Sequence, residues 1–288
     1  MAVTQTQIVV AVEPGESRIL RIQAINTWLA LDLAELWAYR ELIYFFVWRD
    51  IKVRYKQTVI GAAWAILQPV LTMLVFSLFF GKLAKIPSEG LPYPIFYYCA
   101  LLPWMYFATA MQNATNIIVD QQRVITKIYF PRVVLPIAAV LAGLLDFAIS
   151  FAVFLLMMIY YHIYPTRAIV WLPAFTLLAI LTALGVGLWL SALNALYRDV
   201  RYVLPFLVQF WMFASPVAYP SALVPAKWRW LYGLNPMTGV IEGFRWALTG
   251  HGQVPGLLLA ASSGAVLLLV FSGLVYFHAM EGRIADVV

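Results

Sequence analysis

The chain has 288 residues, of which 64% are hydrophobic and only 11% charged, and its 19 lysines and arginines exceed 13 acidic residues to give a net charge of +6. A soluble domain has roughly 25% charged residues, so this composition, with a mean hydropathy of +0.85, excludes an ordinary soluble protein and indicates one dissolved in lipid. Because the basic residues lie beside apolar stretches, their expected counterpart is anionic membrane headgroups and not nucleic acid.

Residues 1–35 are predicted to be a cytoplasmic lead-in without a cleavable signal. No basic residue precedes Arg18, and the short apolar run near the start is interrupted by Glu13 and Pro14.

The next segment, residues 36–57, is predicted to form an amphipathic helix that lies in the membrane interface. At about 100° per residue, an apolar arc faces one way and a basic side faces the other. The arc contains Ile43, Tyr44, Val47, Trp48, Ile51 and Tyr55, and the basic side carries Arg49, Lys52 and Lys56. Phe45 and Phe46 break the pattern and are interpreted as contacts with another helix or a partner. The helix is either a membrane anchor alone or also a docking surface for a cytoplasmic subunit.

Six apolar stretches are long enough to cross a hydrocarbon core of roughly 30 Å as helices. They are residues 59–81, 94–118, 133–161, 169–193, 202–219 and 254–277, within one membrane domain of residues 58–280. A basic cluster precedes the first stretch, and such charges keep the adjacent end of a span in the cytoplasm. An even number of spans returns the C-terminus to that side, so residues 281–288 are predicted to be a cytoplasmic tail.

Asp146 is the only ionisable residue within the core of a predicted span. Ionisable groups inside a membrane are costly and are usually paired or functional. Asp146 is therefore interpreted either as part of a transport pathway or as a structural acid that is bonded to a neighbouring helix or kept protonated.

Two connections on the predicted cytoplasmic side carry polar residues. The first, residues 120–132, is predicted to contain a short helix that ends before Pro131. Its apolar residues recur at helical spacing, at Val124, Ile125, Ile128 and Tyr129. They could press into a groove on a soluble partner, or the segment could be a plain connecting loop. The second connection, residues 194–201, has alternating charges that suit local pairing or a contact with a partner.

The segment from Tyr219 to Gly252 is too polar to span a membrane and too apolar for an ordinary loop. It contains Lys227, Arg229, Glu242 and Arg245 among the aromatic residues Trp228, Trp230, Tyr232, Phe244 and Trp246. Prolines at positions 216, 220, 225 and 236 divide this region into short pieces, as a re-entrant structure shielded by protein requires. The same rings are also compatible with an outer aromatic belt.

Four stretches together resemble the membrane subunit of the type-2 ABC exporters that move O-antigen, teichoic acid and related polysaccharides. They are RDIKVRYKQTVIGAAWAILQP, VDQQRVITKIYFPRVVLP, ALNALYRDVRYVLPFLVQFWMFASPVAYP and LNPMTGVIEGFRWALTG, and the resemblance extends over residues 36–280 in the expected order. It implies an all-α integral membrane protein with six transmembrane helices and re-entrant extracytoplasmic helices between spans five and six. It further implies a homodimeric permease of the bacterial inner membrane that exports an undecaprenyl-linked polysaccharide.

The resemblance also implies a separate ABC ATPase subunit, bound in two copies. In that family, the interface helix and the short helix after the second span contact the ATPase. This assigns a coupling role to Arg49, Lys52, Lys56, Asp120, Arg123, Lys127 and Tyr129. ATP and magnesium would belong to the partner, with no cofactor on this chain. The phosphate-binding pattern G-x-x-x-x-G-K-[ST] is indeed absent from the sequence, because Phe76 replaces the first glycine before Gly81-Lys82 and Leu83 follows.

A conduit for a polysaccharide is predicted to be lined by aromatic side chains. Flat rings contact the C–H faces of sugars with little orientational demand, and a polymer in transit must be held weakly enough to move. The candidates are Trp64, Tyr97, Tyr98, Trp104, Tyr106, Phe107, Phe206, Phe210, Trp211, Phe213, Trp228, Trp230 and Tyr232. For each ring taken alone, packing in lipid or between helices is the simpler interpretation.

Two other functions fit parts of the sequence. A type-2 ABC exporter of a drug or a non-glycan lipid would share the same architecture. A membrane enzyme acting on a lipid-linked sugar would need paired carboxylates, a histidine pair or a metal cluster. Glu89 and Glu242 lie far apart in the sequence, and His162, His251 and His278 lack ligand spacing, so no catalytic or metal-binding residue is assigned.

Overall fold

The computed structural model describes residues 33–56, 61–128, 130–251 and 256–287. All regular elements within these residues are helices, which confirms the predicted all-α class. The lead-in predicted for residues 1–35 lies almost entirely outside the described residues.

The α-helices of the described residues follow in order, with short turns of other helical types between some of them. They are α1 (Leu33–Ala38), α2 (Arg40–Lys56), α3 (Gly61–Phe76), α4 (Tyr93–Asp120), α5 (Gln122–Ile125), α6 (Val134–Ala142), α7 (Leu144–Tyr160), α8 (Leu172–Leu196), α9 (Val200–Ala214), α10 (Arg229–Gly233), α11 (Pro236–Thr249) and α12 (Leu257–Val287). A π-helical turn, Ser77–Leu83, continues α3, and 3₁₀ turns occur at Arg167–Trp171, Ser221–Leu223 and Ala226–Trp228.

Four helical stretches of the described residues are long and apolar enough to cross a membrane. They are Ala63–Leu83, Val134–Tyr160, Arg167–Leu196 and Leu257–Arg283, and they coincide with the predicted first, third, fourth and sixth spans. The second predicted span corresponds to α4, which has 28 residues but also polar side chains such as Gln112 and Asn116. The fifth corresponds to α9, whose 15 residues extend about 22 Å, less than a hydrocarbon core. The count of six spans stays a prediction.

α9 ends earlier than the predicted span at residues 202–219. Ser215 adopts an extended conformation with ψ of 156°, and Pro216 follows it. A residue before proline disfavours the helical region because the pyrrolidine ring collides with its backbone. The helix therefore stops at Ala214, and the following short helices fold back against the bundle.

α4 is the central helix of the described structure. It packs against α3, α6, α7, α8 and α11, and its side chains Phe96, Tyr97 and Phe107 are fully buried. This burial lets other helices bond some of the polar side chains of α4, which lipid could not do. Asn116, for example, accepts a 3.1 Å hydrogen bond at Oδ1 from Asn194 of α8.

α8 and α12 approach each other closely through two glycines. A Cβ atom added to Gly185 would lie 2.9 Å from the backbone nitrogen of Val270, and one added to Gly273 would lie 2.6 Å from the Gly185 carbonyl oxygen. Small residues at such crossings let helix backbones touch inside a membrane. Trp189 stacks on Tyr276 beside this contact, with ring centroids 4.1 Å apart.

The segment predicted as one amphipathic helix is helical as α1 and α2 with a turn at Tyr39, but α2 does not separate its apolar residues clearly from its polar ones. Ile43 and Val47 of the predicted arc pack against the core. Phe46, which breaks the predicted pattern, is only 3% exposed and packs on the ring of Phe130 at 5.7 Å. Tyr44 and Trp48 are exposed instead. The difference arises because α2 packs against α6 and the residues before it, so neighbouring helices rather than lipid select its buried side.

Candidate functional site

The two predicted coupling segments meet where α2 crosses the end of α4. The Nη1 atom of Arg49 donates a 3.1 Å hydrogen bond to Oε1 of Gln121, the residue between α4 and α5. The same guanidinium holds the Asp50 carboxylate through Nε at 3.0 Å and Nη2 at 2.8 Å. Arg49 therefore joins α2 to the connection after α4.

The connection at residues 194–201 joins the same surface. The Nη2 atom of Arg201 lies 2.8 Å from Oδ1 of Asp120, and its Nε atom donates to Oδ1 of Asn116 at 3.2 Å. Asn194 donates to the Thr115 carbonyl at 3.0 Å and to Oδ1 of Asn116 at 3.1 Å. Asp120, a predicted coupling residue, thus has its charge partner in the second polar connection, where the sequence suggested either local pairing or a contact with a partner.

The short helix α5 and the turn that follows it carry two exposed cations. It contains only four residues, and its last turn is closed by a 3.1 Å hydrogen bond from the Thr126 hydroxyl to the Gln122 carbonyl. Arg123 and Lys127 are exposed, and neither forms an ion pair with a described residue. Tyr129, also predicted for this surface, lies outside the described residues.

The remaining predicted coupling residues, Lys52 and Lys56, lie on an open groove along α2. Arg49 and the side chains of Phe45, Trp48 and Val53 complete the lining of this groove, whose volume is about 320 Å³. The ammonium of Lys52 lies 5.3 Å from the centroid of the Trp48 ring, close enough for a cation–π contact.

Asp146 accepts hydrogen bonds from two side chains of α2, one charged and one neutral. The Arg54 guanidinium and the Tyr55 hydroxyl each donate to a different oxygen of its carboxylate. Burial raises the pKa of Tyr55, and its hydrogen bond to Asp146 raises that pKa further, so the phenol stays a donor at neutral pH. The lone acid of the predicted span thus fastens α2 to the start of α7.

A cavity of about 620 Å³ opens beside this carboxylate. Its wall combines Trp64 of α3 with polar side chains of three helices, among them Gln68, Asn113 and Ser150. Two predicted conduit residues, Trp64 and Tyr106, line this cavity, and none of those on α9 does.

An aromatic groove of about 590 Å³ lies between α9 and the short helices that follow it. Four of the predicted conduit residues line it: Phe210, Trp211, Trp228 and Tyr232. Leu207, Leu231 and Pro236 complete its apolar wall. The sequence reasoning that grouped α9 with the exit segment therefore selected side chains that the fold brings together.

Three polar side chains in the wall of this groove are bonded to protein. Trp211 donates from Nε1 to Oδ1 of Asn235 at 2.9 Å, and the Asn235 amide nitrogen donates to the Ala214 carbonyl and the Ser215 hydroxyl. The Tyr232 hydroxyl donates to that of Tyr219 at 3.2 Å. The wall therefore consists mainly of rings and apolar surface, with the exposed indole of Trp228 as a side-chain donor that no described residue engages.

The other predicted conduit rings do not line this groove. On α4, Tyr97, Tyr98, Trp104, Tyr106 and Phe107 are buried within the described chain. Phe107 supports the groove from behind, with its ring centroid 5.1 Å from that of Trp211. Phe206 and Phe213 are exposed on α9, and Trp230 is 65% exposed but is not part of the groove lining.

A buried ion pair that the sequence reasoning missed lies on α11. Oε1 of Glu242 is 3.0 Å from Nη1 of Arg245, and both side chains are buried. The guanidinium lies 4.0 Å from the Phe96 ring centroid and donates to the Val217 carbonyl at 3.4 Å. The spacing of three residues, which places both charges on one helix face, was the available signal.

Glu89 lies close enough to this pair for the charges of Glu242 and Arg245 to affect the pKa of its carboxyl group. Burial raises the pKa of Glu89, the negative charge of Glu242 raises it further, and the positive charges of Arg245 and His251 oppose the shift. The two carboxylates that are far apart in the sequence therefore belong to one polar region. Within the described residues, no group of three or more histidine, cysteine, aspartate or glutamate side chains could hold a metal ion.

Comparisons with known proteins extend over most of the chain. The family described as ABC-2 type transporter matches residues 41–249. The chain is 29% identical over 255 residues to the O-antigen export system permease protein RfbA of Myxococcus xanthus, covering 88% of this chain and 97% of that protein. A protein of the same name from Klebsiella pneumoniae is 25% identical, with 83% and 92% covered. The polysialic acid transport protein KpsM of Escherichia coli is 27% identical, with 81% and 91% covered.

Proposed function

This chain belongs to the ABC-2 type transporter family, and from that premise we propose that it is the permease subunit of an ATP-driven exporter of a lipid-linked polysaccharide. The substrate is of the O-antigen kind, carried on an undecaprenyl lipid, and the membrane is the bacterial inner membrane. Support comes from relatives named for O-antigen export and polysialic acid transport, each covered over more than nine tenths of its length.

The observation that carries this proposal is the aromatic groove between α9 and α10. Phe210, Trp228 and Tyr232 present ring faces there, while the polar groups of Trp211 and Asn235 are bonded to protein. A wall of this kind contacts the apolar faces of successive sugars without fixing any one of them. Binding that is weak and repeated along a path permits conduction of a long polymer.

The energy source is a separate ABC ATPase subunit. Arg49, Asp120, Arg123 and Lys127 form the surface that we assign to coupling, supported by the hydrogen bond that links α2 to Gln121. A movement of the ATPase against α5 would be passed to α2, and from α2 through Arg54 and Asp146 to α7. The complex would contain two copies of the permease and two of the ATPase.

The proposed topology has six spans, with both termini in the cytoplasm and α10 and α11 re-entrant on the outer side. α4 and α9 supply the second and fifth spans, and α9 would cross together with the chain that folds back after Ala214. A reporter fused after Val288 tests the orientation, because activity confined to the outer side of the membrane would contradict it.

Depletion of the chain in its own cell tests the function. Surface polysaccharide should fall while the lipid-linked form accumulates inside, and the wild-type gene should restore export. Unchanged surface polysaccharide, together with altered resistance to drugs or altered membrane lipids, would favour a non-glycan exporter. Turnover of a lipid-linked sugar by the isolated chain would favour an enzyme.

A further inference from the structure

The basic residues in the second half of α2 differ in whether an acidic side chain neutralises them. Arg49 is bound by Asp50, and Arg54 is bound by Asp146, so both arginines are neutralised within the protein. Lys52 and Lys56 are exposed and form no ion pair with any residue that the structure describes.

This division follows the chemistry of the two side chains. Arginine has a planar fork that holds a carboxylate through several hydrogen bonds, so it suits the contacts that attach α2 to its neighbours. Lysine is a hydrated point charge on a flexible stem, which lets its ammonium group reach an anionic group at a membrane surface. Lys52 and Lys56 therefore keep an unneutralised charge on the groove that Arg49 also lines.

The groove beside the two lysines has apolar walls. Phe45, Trp48 and Val53 line it beside Arg49, and these three apolar side chains are exposed, with Trp48 at 47%. Towards the start of the helix, Tyr44 is also exposed, and Arg40 lies 5.6 Å from the ring of Trp37. Aromatic rings interleaved with basic side chains on one helix face are typical of segments at the lipid headgroup level.

The position of the groove agrees with this environment. α2 ends at Lys56, seven residues before the membrane-span candidate that begins at Ala63. The groove therefore lies at the edge of the bilayer on the side where α3 enters it.

We propose that this groove binds the headgroup of an anionic phospholipid. The phosphate would lie between the ammonium groups of Lys52 and Lys56, and the glycerol and upper acyl chains would pack on Phe45 and Trp48. The positive charges of Lys52 and Lys56 and their position next to a membrane span favour an anionic lipid over the ATPase in this groove. The ATPase can still contact Arg123 and Lys127. The site is independent of the exported substrate and adds a lipid requirement to the permease.

Native mass spectrometry of the full-length permease in detergent tests the site, with phosphatidylglycerol as the probe and phosphatidylcholine as the neutral comparison. The double variant Lys52→Gln/Lys56→Gln should bind phosphatidylglycerol roughly 30-fold more weakly, the factor expected for two lysines near an anionic surface. Phosphatidylcholine binding should not change. Arg123→Gln/Lys127→Gln removes the same charge from another exposed position and should retain phosphatidylglycerol.

Three results would overturn the proposal. They are unchanged phosphatidylglycerol affinity in the lysine variant, an equal loss in both double variants, and a loss of ATPase copurification without a loss of lipid. Lys52→Arg/Lys56→Arg should restore binding because it retains both charges. If the glutamine variant does not fold, Trp48→Ala tests the lipid site instead. An unchanged phosphatidylglycerol affinity in that variant also contradicts the site.

Discussion

Arg54 on α2 forms an ion pair with Asp146 on α7, and this contact ties the amphipathic helix to a membrane helix 92 positions further along the chain. Asp146→Asn keeps the shape of the side chain but removes its charge. We expect the free energy of unfolding to fall by about 1–3 kcal/mol, because a partly buried guanidinium then lacks its anion. Unfolding of the purified permease in mixed detergent micelles would measure this change.

The control for this variant is Asp120→Asn. Asp120 also pairs with an arginine, Arg201, but that pair is about half exposed, with side-chain exposures of 54% and 47%. Exposed pairs contribute between 0 and about 1 kcal/mol, so this change should have the smaller effect. Equal losses of unfolding free energy in the two variants would show that burial does not increase the contribution of the Asp146 pair to stability.

A second prediction concerns the buried pair of Glu242 and Arg245. Arg245→Met removes the cation and leaves a carboxylate buried without compensation, which should cost about 3–5 kcal/mol of stability. Adding Glu242→Gln to Arg245→Met removes the uncompensated charge, so the double variant should be more stable than Arg245→Met alone. Thermal unfolding of both proteins tests this order, and a double variant that is less stable would contradict it.

Glu89 should make the stability of the permease depend on pH. Its folded pKa is raised above the ordinary value of 4.5, so the folded state holds this proton more tightly than the unfolded chain does. The carboxyl therefore imposes no penalty below pH 4.5, and stability falls as the pH rises from there through the folded pKa. Glu89→Gln should remove this fall and raise the melting temperature at neutral pH.

Glu89→Asp is the matched control, because it retains a carboxyl group at the same backbone position. Residue 89 has a φ of 53°, a left-handed conformation that aspartate tolerates well. Melting temperatures of the three proteins between about pH 4 and pH 8 should show parallel curves for wild type and Glu89→Asp. A fall that persists in Glu89→Gln would assign the pH dependence to other groups.

A further prediction concerns the charges of Arg123 and Lys127 on the proposed coupling surface. Arg123→Glu/Lys127→Glu should reduce the ATPase that copurifies with the permease several-fold, because like charges at an interface repel and opposite charges guide docking. Lys82→Glu/Lys85→Glu makes the same change at the other end of α3 and α4 and should leave copurification intact. If both double variants retain the ATPase, the surface at residues 120–132 is not the docking site.

The sequence predicted those features that depend on local pattern. Long apolar runs specified four spans, and proline and aromatic residues indicated the short pieces after α9, because hydropathy and backbone restrictions are local properties. The residues that pack against each helix could not be predicted from local sequence pattern. Phe46 is buried because its ring packs on that of Phe130, which lies 84 positions later in the chain. Asp146 is paired because α2 and α7 lie beside each other in the fold. Helical spacing identifies which residues share one face of a helix, but not which residues pack on that face.

The aromatic groove makes the sharpest prediction for transport. Phe210→Ala/Trp228→Ala removes two ring faces from opposite sides of the groove, one on α9 and one before α10. Surface polysaccharide should fall at least several-fold, because the sugar chain loses the apolar contacts that support its movement. Assembly with the ATPase and basal ATP hydrolysis should stay near wild-type levels, since both side chains are exposed and their loss leaves no cavity in the core.

Phe206→Ala/Trp230→Ala is the matched control, with the same pair of residue types removed from α9 and from a position two residues after Trp228. Both rings are exposed, but neither lines the groove. Normal export in this control together with reduced export in the groove variant would assign the effect to the groove rather than to loss of aromatic surface in contact with lipid. If both variants export normally, or if the groove variant fails to assemble, the rings of the groove are structural and the polysaccharide follows another path.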